Sequence, residues 1–158
     1  MKQKSTLFLK TALVLISLPV LAVVIFGLYW LWNNPVNPEY ALQIYPVLGG
    51  VLLTVFPFLF ALYQAFQLLQ NIDHDQAFSG SSVESLKKIK GSAVAISVIY
   101  AVVLPFIYWI AEIDDAPGLI IIGMVLILAS AVVAVFAAVL QRLLDQAITI
   151  KSENDLTV

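Results

Sequence analysis

The chain has 158 residues, 61% of them hydrophobic and 11% charged, with a net charge of -2 and no cysteine. Its mean hydropathy of +0.98 excludes an ordinary soluble domain, in which roughly a quarter of residues are charged, and points to an all-α, polytopic integral membrane protein. The acidic balance offers no surface for direct nucleic-acid binding, and the lack of cysteine removes disulfide, thiolate-nucleophile and thiolate-metal chemistry.

Taken in order, Lys2, Lys4 and Lys10 precede an uncharged run from Thr11 to Trp32, about the length that crosses a hydrocarbon core. A basic start before an apolar run also describes a signal peptide. This run is longer than the usual apolar region, however, and closes on Tyr29, Trp30 and Trp32, an interfacial aromatic anchor without a small-residue cleavage site. It is read as a retained first span, residues 11–32.

Asn33 to Glu39, NNPVNPE, has two prolines and three asparagines and forms a short outer loop. The second span covers residues 44–69 and contains Pro46, Gly49-Gly50 and Pro57, so a kink or local irregularity is expected. The polar interval Asn71 to Lys90 follows. Within it, Ser81 to Glu84 has the form of a capping box, starting a short helix along the inner membrane surface before Gly91. Val83, Leu86 and Ile89 would face inward and Lys87, Lys88 and Lys90 would face water or phosphate head groups.

The third span covers residues 92–113. Glu112, Asp114 and Asp115 with Pro117-Gly118 make a tight acidic turn into the fourth span, residues 119–140, and force an antiparallel hairpin. The helical period continues beyond it through Leu140, Leu143, Leu144, Ala147 and Ile148, so this helix projects from the membrane to about Lys151 and ends in a short polar tail. The expected organisation is one four-helix transmembrane domain over 1–158, with a cytoplasmic loop at 71–90 and a cytoplasmic tail at 141–158.

Under this assignment every lysine and arginine falls on one side: Lys2, Lys4, Lys10, Lys87, Lys88, Lys90, Arg142 and Lys151. The two opposite loops hold only Glu39, Glu112, Asp114 and Asp115. The positive-inside rule makes the basic side cytoplasmic, with both termini inside. The expected location is the bacterial cytoplasmic (inner) membrane.

No constellation for catalysis stands out. Asp73-His74-Asp75 offers hard and borderline metal ligands, but adjacent side chains diverge and the chain has no second histidine, which favours a solvated loop. A Ser/His/Asp set needs a buried, oriented histidine, and this one lies in the loop. No enzymatic activity, cofactor or metal is expected. The span centres hold no ionisable residue of the kind that couples transport to an ion. Tyr63, Gln64 and Tyr100 either line a polar pocket or hydrogen-bond between helices.

Small residues recur at spacing four, as Ala93, Ser97 and Ala101 and as Ser130, Ala134 and Ala138; they suit close packing of the last two spans. Homo-oligomerisation, or membership of a larger membrane complex, through such stripes is a further alternative. Lys87, Lys88 and Lys90 suit anionic lipid, although topology alone asks for basic residues there. The apolar stripes of the loop helix and of the fourth-span extension need cover, from each other, from head groups or from a partner.

Two stretches resemble a family of small bacterial four-helix membrane proteins known as domain of unknown function twenty-nine seventy-five. The first is Phe78-Ser79, Ser82-Val83 and Leu86-Lys87-Lys88-Ile89, similar to the family's Phe-Ser, Asn-Val, Leu-Lys-Arg-Ile. The second is Glu153-Asn154-Asp155-Leu156-Thr157-Val158, which resembles its terminal Glu-Asn-Asp-Leu-Thr-Ile. Ser82 replaces the usual asparagine, and Ala77 stands where proline is common.

The resemblance implies a membrane protein encoded beside a small helix-turn-helix regulator, which it binds, sequesters or signals to. The expected function is therefore regulatory and non-enzymatic, with Phe78, Leu86, Lys87, Lys88, Asp155, Leu156 and Thr157 engaging a cytoplasmic DNA-binding partner. The alternative is a small transport or immunity protein giving resistance to a peptide or amphiphile, which would depend on Pro57, Gln64, Tyr100 and Pro105.

Overall fold

A computed structural model describes residues 2–35 and 37–156, with side chains from Thr6 onward. Four helices account for nearly all of it: α1 (Lys2–Asn33), α2 (Ala41–Asp73), α3 (Gly80–Ile113) and α4 (Gly118–Leu156), with a short 3-10 turn at Pro38–Tyr40 before α2. No strand occurs among the described residues. In hydrocarbon each backbone N–H and C=O must be satisfied within the chain, which is why such apolar segments become helices. All four are long and apolar enough to cross a membrane.

Consecutive helices pack side by side, α1 on α2, α2 on α3 and α3 on α4, while the α1 backbone does not approach α3 or α4. The central element is α3. It contributes Ser82, Ser85, Leu86, Ser92, Ala93, Val103 and Ala111 to the interior. Where α2 crosses α3, a Cβ at Gly50 would collide with Val103, so the absent side chain permits that approach. On the other flank a Cβ at Gly123 would lie 2.9 Å from Leu104 Cδ1. Ser97 Oγ donates to the Ile127 carbonyl at 3.3 Å, tying α3 to α4. Of the two small-residue stripes, Ala93 and Ala134 are buried but Ala101 is exposed. Gly123 makes the close approach instead.

Helix α2 is unbroken through Pro46 and Pro57, and α3 through Pro105. The expected surface helix before Gly91 is not a separate element, because α3 runs continuously from Gly80. The reason is tertiary: Ser85 and Leu86 lie two turns before Ser92 and Ala93 on one buried face, and packing along that face outweighs the helix cost of a single glycine, about 1 kcal/mol. The cap also differs from the expected Ser81–Glu84 box. Ser79 is the N-cap, its hydroxyl accepting from the Ser82 backbone N–H at 3.4 Å.

Helices α2 and α3 stop in the same way. Gln76 N–H donates to the Asn71 carbonyl at 2.6 Å and Ala116 N–H to the Ala111 carbonyl at 2.9 Å, each closing a Schellman-type end. The left-handed residue, glycine in most such ends, is Asp75 (φ 58) and Asp115 (φ 51).

Candidate functional site

The polar end of the bundle gathers the start of α1, the end of α2, the start of α3 and the end of α4. At 1.5 Å per residue, α3 begins about 18 Å before its expected span. By the same measure, α4 continues about 24 Å past its own; on those expected span limits the two form an antiparallel overhang.

The turn between α2 and α3 is closed by hydrogen bonds. Asn71 Nδ2 donates to Ser81 Oγ at 3.2 Å and to Ser82 Oγ at 3.3 Å, while Ser79 Oγ and Ser82 Oγ donate to the Gln76 carbonyl at 2.6 and 3.2 Å. Ser82 is 0% exposed. Asp73 accepts from the Thr6 hydroxyl and from Lys10 Nζ, the latter at 2.8 Å. The Lys10 bond first, and the Thr6 bond second, hold its carboxyl below the ordinary value. The three residues of the Asp-His-Asp run thus take separate tasks: Asp73 ties α1 to α2, His74 ends α2 and Asp75 takes the left-handed turn. Among the described residues no group of three or more His, Asp and Glu side chains converges.

The residues read from sequence as a partner surface divide. Phe78 is 54% exposed, and Lys151 Nζ stands 5.9 Å from its ring centroid, a cation–π distance. The loop and the end of α4 therefore meet, with Asp155 one turn beyond Lys151. Lys87, Lys88, Asp155 and Leu156 are exposed, Leu156 at 83%. Leu86 is only 6% exposed, which makes it a packing residue with no surface to offer a partner. Thr157 lies outside the described residues. The expected α4 stripe also splits: Leu144, Ala147 and Ile148 are half-buried, while Leu140 and Leu143 are exposed.

Between the helices lies an apolar cavity of about 650 Å³ with walls from all four, among them Pro19 and Val23 of α1, Val55 and Phe58 of α2, Ile96 of α3 and Ala129 of α4. Its polar feature is a hydroxyl pair, Thr54 Oγ1 and Tyr100 Oη, 3.2 Å apart. Thr54 donates its one proton to the Val51 carbonyl at 2.6 Å, so Tyr100 is the donor to Thr54. Of the two alternatives for Tyr63, Gln64 and Tyr100, the shared polar pocket does not form, and a bond between helices is made by Tyr100, to Thr54. Tyr63 accepts from Gln67 at 2.9 Å, Tyr100 turns to Thr54, and Gln64 is buried separately. Sequence reasoning missed both the Thr54–Tyr100 pair and the Lys10–Asp73 tie, since neither partner marks the other at separations of 46 and 63 residues.

The model of the family described as "Protein of unknown function (DUF2975)" matches residues 30–158, from the end of α1 to the C-terminus. The chain belongs to that family. It is also 56% identical over 160 residues to the uncharacterized membrane protein YoaS of Bacillus subtilis (strain 168), with the whole of each chain covered. No solved structure matches the chain. This DUF2975 chain is therefore a membrane protein with four transmembrane helices. The stretch that carries the family resemblance acquires a structural meaning: Ser79 caps α3, Ser82 is the buried centre of the turn, and Leu86 is interior.

Proposed function

We propose that this DUF2975 protein is a non-enzymatic regulatory protein of the bacterial cytoplasmic membrane, and that its α3–α4 overhang binds a soluble cytoplasmic partner. The observation that carries the reading is the overhang itself, in which Phe78 of the first motif stretch meets Lys151, two residues before the second, and in which Leu143, Ile150, Leu156, Lys87 and Lys88 are all exposed. Exposed apolar side chains on a segment beyond the expected span call for cover. The family resemblance suggests a small helix-turn-helix regulator as the partner. A cytoplasmic overhang, with both termini on the same side, is supported by the segregation of lysine and arginine to that end and of Glu39, Glu112, Asp114 and Asp115 to the other.

The test is capture from native membranes by cross-linking, using the full chain beside a version lacking Ser152 to Val158. A small DNA-binding protein present with the first and lost with the second is the expected result. No soluble partner with either would overturn the reading. Because the chain has no cysteine, orientation is checked by Lys88→Cys and Asp115→Cys with a membrane-impermeant thiol label on intact cells. Only Asp115→Cys should react.

The 650 Å³ apolar cavity favours a second reading, a transport or immunity protein that receives a peptide or amphiphile from the bilayer, since a space of this size is within the range of ligand pockets. On that reading Tyr100→Phe and Pro57→Ala abolish protection while removal of Ser152 to Val158 does not.

A further inference from the structure

At the root of the overhang, α3 and α4 flank a smaller, open cavity of about 410 Å³, lined by Lys90 of α3 and by Ala138, Val139, Gln141, Arg142 and Asp145 of α4. Its composition is unlike that of the large cavity, with two cations, one carboxylate and an amide. Gln141 lines it, with its Oε1 buried in the wall without a hydrogen-bond partner, a state that native interiors seldom leave uncompensated. Among the described residues no ion pair joins Lys90 or Arg142 to Asp145, so the charges are held apart around the space. With the spans at 92–113 and 119–140, Lys90 and Gln141 fall just outside them, the depth expected for lipid phosphates.

We propose that this cavity is a binding site for the head group of an anionic glycerophospholipid of the phosphatidylglycerol type. The phosphodiester sits between Lys90 and Arg142, and rotation of the buried Gln141 amide toward the cavity lets a glycerol hydroxyl donate to its Oε1. Charge complementarity selects this occupant: Lys90, Arg142 and Asp145 leave one surplus positive charge, which a monoanionic head group neutralises. A zwitterionic head group leaves that charge uncompensated, and choline supplies no hydrogen-bond donor to the amide oxygen. Basic pockets between helices on the cytoplasmic side are suited to such head groups. Lys87 and Lys88 are exposed and do not line the cavity, so they contribute only general attraction to the surface. The inference is independent of the partner proposed for the overhang.

The experiment uses the full chain, delipidated in neutral detergent, and an equimolar mixture of dioleoyl phosphatidylglycerol, phosphatidylethanolamine and phosphatidylcholine. Retained lipid is counted by native mass spectrometry. Phosphatidylglycerol should be retained in preference, and Lys90→Gln or Arg142→Gln should each lower its retention about fivefold. The Lys87→Gln/Lys88→Gln double variant should retain it unchanged. Lys90→Arg and Arg142→Lys keep the charge and should keep the lipid, which separates loss of the site from loss of the fold. Gln141→Leu should weaken phosphatidylglycerol but not phosphatidic acid, which has no head-group hydroxyl. Equal loss in the Lys87/Lys88 double variant, equal retention of phosphatidylethanolamine, or displacement of the lipid by millimolar inorganic phosphate would overturn the proposal.

Discussion

Helices α1 and α3 are both long and apolar and each contains a proline, Pro19 and Pro105, yet they occupy opposite extremes of packing. Helix α3 is buried against a neighbour on either side. The backbone of helix α1 approaches only that of α2; Thr6 is the buried residue among its described side chains, and Phe8, Val23 and Phe26 stand open. Hydrophobicity takes both into the bilayer, where lipid chains are as apolar as leucine and provide no further drive to associate. Association then depends on close backbone approach and interhelical hydrogen bonds. Gly50, Gly123 and Ser97 provide these around α3, whereas α1 has the Lys10 and Thr6 bonds to Asp73 at one end.

The sharpest way to break the contrast is to fill the close approach. Gly50→Leu should destabilise the α2–α3 contact by about 2 kcal/mol through overpacking against Val103. Gly27→Leu in α1, where a Cβ meets nothing within 4 Å, should change stability by less than about 0.5 kcal/mol. Unfolding in mixed micelles measures both, and equal losses would show that α1 is packed as tightly as α3.

Next in size is release of α1 alone. Asp73→Asn should broaden the distance distribution between spin labels at Leu9 and Gln70 while the distribution between labels on α3 and α4 stays narrow. If both distributions broaden, the tie holds the whole bundle and not α1.

Tyr100→Phe removes the Thr54 bond and should cost about 0.6 kcal/mol, the usual worth of a hydrogen bond between membrane helices. The same unfolding assay reads it, and a loss as large as that of Gly50→Leu would give this pair a weight comparable to the close approach.

The smallest effect comes from pH. The Asp73 carboxyl is held below its ordinary value of 3.8 by Lys10 and Thr6. A depressed folded value means that the tie is fully present above the unfolded value and is lost as pH falls through the folded one. The Leu9–Gln70 distribution should therefore be unchanged from pH 7 to about 4 and broaden only in more acidic solution. Broadening already near pH 6 would assign the tie to another group.

Much of the scaffold was legible because its signals are local. Uncharged runs marked the helices, Pro117-Gly118 marked the hairpin between α3 and α4, and the i, i+3, i+4 pattern after Leu140 marked the extension of α4. Reading a surface helix before Gly91 failed because the glycine and the polar interval are local features, whereas continuity of α3 comes from one face packing along its whole length. The candidate partner surface was legible in part: Phe78, Lys87, Lys88, Asp155 and Leu156 are exposed, but Leu86 has the same periodic signature as a surface anchor and turns out to be interior. Periodicity shows which residues share a face, not what covers it.

By itself the sequence determined membrane residence, the number of spans and the grouping of basic residues at one end, because transfer from water to hydrocarbon and charge placement depend on composition along the chain. Only the tertiary structure decided that α1 stands apart, that Asp73 belongs to Lys10, that Gly50 and Gly123 are contact points, and that two cavities of opposite character lie between the helices. Those properties arise from pairs of residues far apart in the chain, whose meeting depends on packing geometry that no single segment encodes.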